Sequence, residues 1–428
     1  MMNASCHGSL SRICFALALG GFACPFSGVG AEDTSTSAPP VISYTSMTRA
    51  PNYSGTSQLA GPPPAEATPE KPIVQWGQVE LHPHLLYRLY YGDGLQSSPG
   101  TQEKTWINEL APGIAINVGK HWLLDYTPTL RFYSSSAFKD TLDHAVVLSG
   151  GTLYEDWKLG LSQSYINSSQ PLIETGAQTD EEVYATSLSA SRSLSSKMSL
   201  ELGLTQNLRF LQGDAIGSQQ LSDSKTWSTM DWVNYQFAPS IGAAIGVGLG
   251  YDSIEIGSDM LSEQLQGRVT WHPSKKLSVS ISGGAEDRQF LDSDQGNLIN
   301  PIYSAAIEWL PQETTTFSLS AGRTVTPSYF SSQLTEQTMV TLGLHQRLFK
   351  KLSLDLGGGY RWTGYKASVQ GLPVDREDDG TFFSARLGMG VLRRGTLAVF
   401  YQTSANNSTD GDFSYTSTQI GLEFGLHF

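Results

Sequence analysis

From Gln75 to the C-terminus, apolar residues return at every second position, and no helical stretch interrupts the pattern. No other property of the chain restricts its fold as strongly. In the last segment Ile420, Leu422, Phe424, Leu426 and Phe428 are apolar, while Gln419, Gly421, Glu423, Gly425 and His427 between them are polar or glycine. A period of two places side chains on opposite faces of a β-strand, so one face is greasy and the other wet. The same alternation marks Leu200, Leu202 and Leu204, the run Ile241 to Tyr251, then Leu277, Val279 and Ile281, and Leu352, Leu354 and Leu356. The opposite faces carry Gly, Ser and Thr with scattered charges. In a soluble sandwich the polar faces meet bulk water, and residues such as Lys, Glu and Thr are expected there. In a membrane barrel the apolar faces meet lipid, small polar residues line the interior, and closure removes every unpaired edge.

The spacing predicts an all-β, antiparallel up-and-down transmembrane barrel of about eighteen strands, each roughly ten residues or a little more. Sixteen is the alternative, because residues 144 to 154 and 224 to 237 alternate poorly. Short joints fall at Gly119-Lys120-His121, Tyr154-Glu155-Asp156, Ser195-Ser196-Lys197, Ala238-Pro239-Ser240, Pro273-Ser274-Lys275, Pro311-Gln312-Glu313, Lys350-Lys351 and Arg393-Arg394-Gly395. Longer polar stretches alternate with them near 93–104, 167–181, 211–223, 253–260, 289–298, 326–335, 366–380 and 404–412. This asymmetry predicts periplasmic short turns, and an even strand number puts both termini on that side. Trp122, Trp157, Trp271, Trp309, Phe349 and Phe237 sit by the short turns, and Tyr91, Phe132, Tyr165, Phe210, Tyr251 and Tyr360 near the other strand ends, as two interfacial girdles would.

The N-terminus reads as an export signal over residues 1–31: Arg12, an apolar stretch from Ile13 to Ala23, and a small-residue site at Val29-Gly30-Ala31. The apolar run is shorter than the roughly 20 residues a spanning helix needs. All three cysteines, Cys6, Cys14 and Cys24, lie inside it, so disulfides, thiol catalysis and cysteine zinc sites drop out of the mature chain. Removing the segment takes away one cation, Arg12, and no acid, which moves the formal charge from -13 to -14. An acidic chain does not suit nucleic acid. Residues 32–75 are rich in Pro, Ser and Thr and read as a disordered periplasmic leader, with the barrel occupying 76–428.

The terminal Ile420-Gly-Leu-Glu-Phe-Gly-Leu-His-Phe428 resembles the signal by which the barrel-insertion machinery recognises bacterial outer-membrane barrels, with Ile420, Leu422, Phe424, Leu426 and Phe428 as its alternating apolar positions. The joints Trp271-His272-Pro273-Ser274-Lys275-Lys276-Leu277 and Trp309-Leu310-Pro311 resemble the strand, proline turn, strand units of the putative beta-barrel porin 2 family. The resemblance covers residues from about 75 to 428. It implies a pore, and some members are associated with surface-polysaccharide systems.

With the apolar faces set outward, Glu80, Glu109, Asp125, Glu201, Asp252, Glu286, Glu308, Asp355 and Glu423 fall inside, together with Arg88, Arg131, Lys158, Arg209, Arg268, Arg288, Arg347, Arg361 and Arg386. Dispersed charges of both signs suit a water-filled channel that excludes apolar solutes. They also serve simply to keep the interior solvated and the sheet in register. The sequence shows no plug; Asn167 to Glu182 is the longest candidate for an inward fold, and the small face of Ile241 to Tyr251 is expected to leave space beside it. The acidic run Asp375-Arg376-Glu377-Asp378-Asp379 and its like read as solvated loop surface. His82-Pro83-His84 with Glu80 needs no metal to explain it, Gly246 to Gly250 lacks the following helix of a phosphate loop, and no catalytic constellation stands out around His345. No enzyme activity and no cofactor is expected. The expected partners are outer-membrane lipid, the insertion machinery and small hydrophilic solutes, and the oligomeric state is left open. The alternative from another class is a non-conducting surface or assembly barrel, serving exopolysaccharide export or adhesion, and a hydrolytic barrel stands third.

Overall fold

The computed structural model describes residues 74–428 apart from Asp214, Ser218, Asp292, Lys350 and Leu392. The export segment 1–31 with its cysteines, and the leader up to residue 73, lie outside the described residues. Alternating, β-branched and aromatic sequence forms eighteen long strands. They are β1 (Val79–Ser98), β2 (Thr101–Val118), β3 (Trp122–Tyr133), β4 (Thr141–Tyr154), β5 (Trp157–Leu172), β6 (Ala177–Ser193), β7 (Met198–Gln212), β8 (Ser224–Ala238) and β9 (Ile241–Ile254). The second half comprises β10 (Met260–Ser274), β11 (Leu277–Phe290), β12 (Leu298–Gln312), β13 (Thr315–Pro327), β14 (Gln333–Leu348), β15 (Leu352–Ala367), β16 (Glu377–Val391), β17 (Gly395–Ser408) and β18 (Tyr415–His427).

Each strand pairs antiparallel with its sequence neighbours, and β18 pairs with β1 from His84↔His427 to Asp93↔Thr418. The sheet is thereby closed and has no free edge, which is the condition for spanning a bilayer with strands. The Phe428 amide adds one bond to this seam by donating to the Pro83 carbonyl at 3.0 Å. A short strand, Val74–Trp76, folds back on Val79–Leu81. Among the described residues the one helical element is a single 3-10 turn, Gly411–Phe413.

The eighteen-strand expectation holds and sixteen falls: the two poorly alternating segments are β4 and β8, each paired with both neighbouring strands. Much of what read as loop is strand. β1 and β2 run on to a turn at Pro99-Gly100, where Gly100 takes φ +74°, and β5 and β6 to Leu172 and Ala177. Polar residues on both faces hide the alternation there, while the hairpin hydrogen bonds persist. A further connection, residues 134–140 between β3 and β4, escaped the sequence reading.

Leu, Val and Ile of the alternating set are exposed on the outer face; Ile245, Leu249, Leu265, Leu342 and Leu422 are all more than half exposed. Aromatic pairs lie towards the long-hairpin end of that face, with ring centroids 5.3 Å apart for Tyr91 and Trp106, 4.8 Å for Tyr165 and Tyr184, and 6.0 Å for Trp227 and Tyr251. The glycines of β9 are not beside empty space as expected. The Trp232 ring of β8 lies across Gly246, where an added Cβ would stand 2.6 Å from it, and the Met230 methyl covers Gly248.

Candidate functional site

Strand register brings the inner-face charges of distant sequence segments side by side. Glu423 is opposite Arg88, Arg88 opposite Glu109, and Glu109 opposite Arg131, in one row across β18, β1, β2 and β3. Arg88 Nε donates to Glu423 Oε2 at 2.9 Å and its Nη1 reaches Glu109 at 3.5 Å. Arg131 donates from Nε to Glu109 at 2.9 Å and from Nη1 to Asp143 of β4 at 2.6 Å. On the other side of the seam Arg386 of β16 reaches over Ala398 of β17 to Glu423, Nη2 to Oε1 at 2.8 Å, and donates to Asp355 of β15 at 3.3 Å. Asp355 also meets His345 Nδ1 of β14 at 2.6 Å. Four carboxylates, three guanidiniums and an imidazole thus alternate in one band that crosses the closing seam.

Two smaller groups occupy the opposite wall. Arg288 of β11 donates to Asp252 at 2.7 Å and to Glu286 at 3.0 Å, while Gln264 donates to Glu286 at 2.6 Å. Arg268 of β10 bridges Glu201 and Asn234, each at 2.7 Å, and lies 4.4 Å over the Trp232 ring. Glu109, Arg131, Glu286, Arg288 and Asp252 are buried, so their charges are satisfied by one another rather than by bulk water.

The remaining charges predicted from sequence stand apart from these groups. Glu80 lies 3.6 Å from His82, and Asp125 accepts from Thr127 and lies 3.8 Å from His84. Lys158 and Glu308 are exposed towards the short turns, Arg347 donates to the Glu313 carbonyl, and Arg361 to Asn406. Among the described residues no group of three or more His, Cys, Asp or Glu has the geometry to hold a metal ion. Asp143 and His345 join the band although sequence reasoning did not select them; Asp143 had only its phase within a poorly alternating strand to mark it. The apolar positions Ile420, Leu422, Phe424 and Leu426 of β18 stand opposite Tyr91, Leu89, Tyr87 and Leu85 of β1.

The long-hairpin end is covered, where no plug had been foreseen. The last β12–β13 pair is Tyr303↔Arg323, yet β13 and β14 continue together to Pro327↔Leu334. Beyond Arg323, β13 parts from β12 while β14 stays paired with β15 as far as Gln333↔Ala367, and Val325 and Leu334 pack on Met260 and Phe290 from the inner face of β10 and β11; Leu334 is 0% exposed. From the other wall, the β5–β6 hairpin outlasts its neighbours, whose pairing stops at His144↔Asn167 and Asp180↔Gln212. This is the segment the sequence named as an inward-folding candidate.

The two tips meet. The Glu174 carboxylate accepts from the Tyr329 amide at 2.8 Å and from the Ser328 hydroxyl. Arg376 donates to the Glu174 carbonyl at 2.9 Å, holds Asp378 through two nitrogens at 3.0 and 2.6 Å, and stacks 3.6 Å over Phe413. Arg209, expected from sequence as a lumen-lining charge, donates to the Ser328 carbonyl at 2.6 Å and lies 4.0 Å over Tyr329, whose hydroxyl donates to Glu181 at 3.0 Å. Burial, reinforced by Glu181, raises the Tyr329 phenol above its ordinary value, so it remains a donor. Phe330, 2% exposed, packs with Leu221 and Phe413. A third apolar group, Tyr90, Leu95, Ile107, Phe138 and Phe400, lies one step beyond the charged band towards this end, and Phe138 comes from the overlooked 134–140 connection. The inner face towards the short turns is small by contrast, with Ser187, Ser189, Ser278, Ser280, Ser318 and Gly343.

No curated protein matches the sequence. Solved barrels overlap it loosely. OccAB2 of Acinetobacter baumannii is 12% identical with a TM-score of 0.44, covering 81% of this chain and 98% of its own. OccK2 of Pseudomonas aeruginosa, solved with glucuronate, is 13% identical with a TM-score of 0.43 over 81% and 98%. OprD of Pseudomonas aeruginosa is 11% identical with a TM-score of 0.40 over 81% and 95%. The family model of putative beta-barrel porin 2 matches residues 262–428, that is, from β10 through the closing strand. A closed antiparallel sheet with an exposed apolar belt, joined to that match, identifies the chain as a bacterial outer-membrane β-barrel that resembles the putative beta-barrel porin 2 family.

Proposed function

We propose that this barrel is a passive channel for small hydrophilic solutes, entered from the periplasmic side through the small Ser- and Gly-rich stretch of the inner face. The observation that carries the reading is the closed sheet whose inner face bears a continuous band of paired charge, from His345 to Asp143. Paired charges hold ordered water and disfavour apolar solutes while presenting little net field. In this reading the charges chosen from the sequence line the path, the short turns and both termini are periplasmic, and residues 1–31 and 32–75 serve as export signal and leader. Ile420, Leu422, Phe424, Leu426 and Phe428 form the insertion signal.

Conductance of refolded residues 32–428 in a planar bilayer tests it. The expected result is stable steps of current with a reversal potential near zero in a potassium chloride gradient. A strongly one-signed reversal potential overturns the paired interior. A folded barrel that passes no current, even with residues 328–332 replaced by a glycine linker, overturns the channel.

The interlocked hairpin tips favour a second reading, a non-conducting surface or assembly barrel in which the covered end is the working surface. It predicts silence in both of those forms and a loss of surface attachment or polymer export when the tips are exchanged.

A further inference from the structure

The covered end has the construction of a door. Strands β5 and β13 are eight apart in a ring of eighteen, so their hairpins rise from nearly opposite walls. Strand β13 is free of β12 beyond Tyr303↔Arg323, but β14 keeps its ladder to β15 as far as Gln333↔Ala367, so the part of the hairpin held by no neighbouring long strand on either side is the tip 328–332. Below the tip its anchorage is the β14–β15 ladder and the packing of Val325 and Leu334 on Met260 and Phe290. At the tip it is the packing of Phe330 on Leu221 and Phe413, Glu174 on the Tyr329 amide and Ser328 hydroxyl, Arg209 on the Ser328 carbonyl, and four backbone bonds. These link Ser222 to Tyr329, Ser331 to Gln220, Ser332 to Ile256 and Ser368 to Ser332. Glu174 is itself held from behind by Arg376 through its carbonyl.

We infer that the tip 328–332 of the β13–β14 hairpin is a gate over the outer mouth, closed in this structure by a latch of Glu174, Arg209 and Arg376 and opened when the tip leaves that latch. The inference rests on the channel reading. Solute reaching the charged band from the long-hairpin end must pass the plane of Phe330, Leu221 and Phe413, which are packed together and buried. The tip is held by the polar latch and by the packing of Phe330, whereas the strands below it are continuous sheet. Loosening therefore releases the tip and leaves the eighteen-strand ring intact. Hydrogen bonds to charged groups are worth more than neutral ones, so loss of Glu174 or Arg376 shifts the closed-to-open balance sharply.

Cysteine locking tests this directly, because residues 32–428 contain no cysteine. Leu221 and Phe330 face each other in an isolated antiparallel bridge, a spacing suited to a disulfide. Single-channel recording of Leu221→Cys with Phe330→Cys is expected to show the oxidised barrel closed and current restored by reductant. Glu174→Ala and Arg376→Ala, folded by the criterion of a heat-dependent gel shift, are expected to raise the time-averaged open fraction roughly tenfold. Equal current from the oxidised and reduced lock overturns the gate and leaves the channel standing. Silence in every form, including the barrel with residues 328–332 replaced by a glycine linker, overturns the channel and the gate with it.

Discussion

Arg131 shows how the interior resolves the problem of burying charge. Its guanidinium lies between Glu109 and Asp143, and all three are buried. Removing one member of such a group strands its partners, whereas replacing the whole group with neutral residues of similar size costs far less. Arg131→Ala is expected to lower the folding free energy by about 3–5 kcal/mol. The readout is an earlier urea midpoint for the barrel refolded into lipid vesicles. Combining Arg131→Met with Glu109→Gln and Asp143→Asn should recover most of the loss, and a midpoint unchanged by Arg131→Ala would show the band to be energetically idle. The sequence placed Glu109 and Arg131 in the same phase. It did not show that they touch, because contact depends on register between strands whose spacing in sequence carries no mark. Arg209 makes the same point in reverse: its phase was legible, and its partner at Ser328, more than a hundred residues away, was not.

At the scale of elements, strand existence was legible and strand extent was not. The apolar alternation that marks a strand is imposed by lipid, so it fades where β1, β2, β5 and β6 run beyond the aromatic pairs, although the hydrogen-bond ladders continue. Glycine was misread for a related reason. A strand of alternating glycine such as β9 looks like open space, but a ring from the neighbouring strand fills it. Gly246→Val places branched carbons where Trp232 now lies and is expected to displace that ring from Arg268. The check is tryptophan emission of the folded barrel, in a background where Trp232→Phe identifies the signal. An emission spectrum identical to the parent's would mean that the ring tolerates the added bulk.

For the molecule as a whole, the asymmetry between short turns and long hairpins is the ground on which periplasmic short turns are proposed. Single cysteines at Lys120 and Glu155 in the turns, and at Asp375 and Asp410 in the opposite connections, separate the two ends. In intact cells a membrane-impermeant maleimide is expected to label only Asp375→Cys and Asp410→Cys. Labelling confined to the turns would invert the barrel. The sequence by itself determined the class of fold, the closed antiparallel barrel and the count near eighteen, because a membrane acts on every residue of a strand and writes its period of two into the chain. It also assigned an inner-face phase to the charges it selected, Glu109 and Arg131 among them. Tertiary structure alone decided which charges meet, that β18 completes one band with β1, and that the tips of the β5–β6 and β13–β14 hairpins meet across one end. Those outcomes depend on register, tilt and the points at which neighbouring strands stop pairing, and none of these is a local property of sequence.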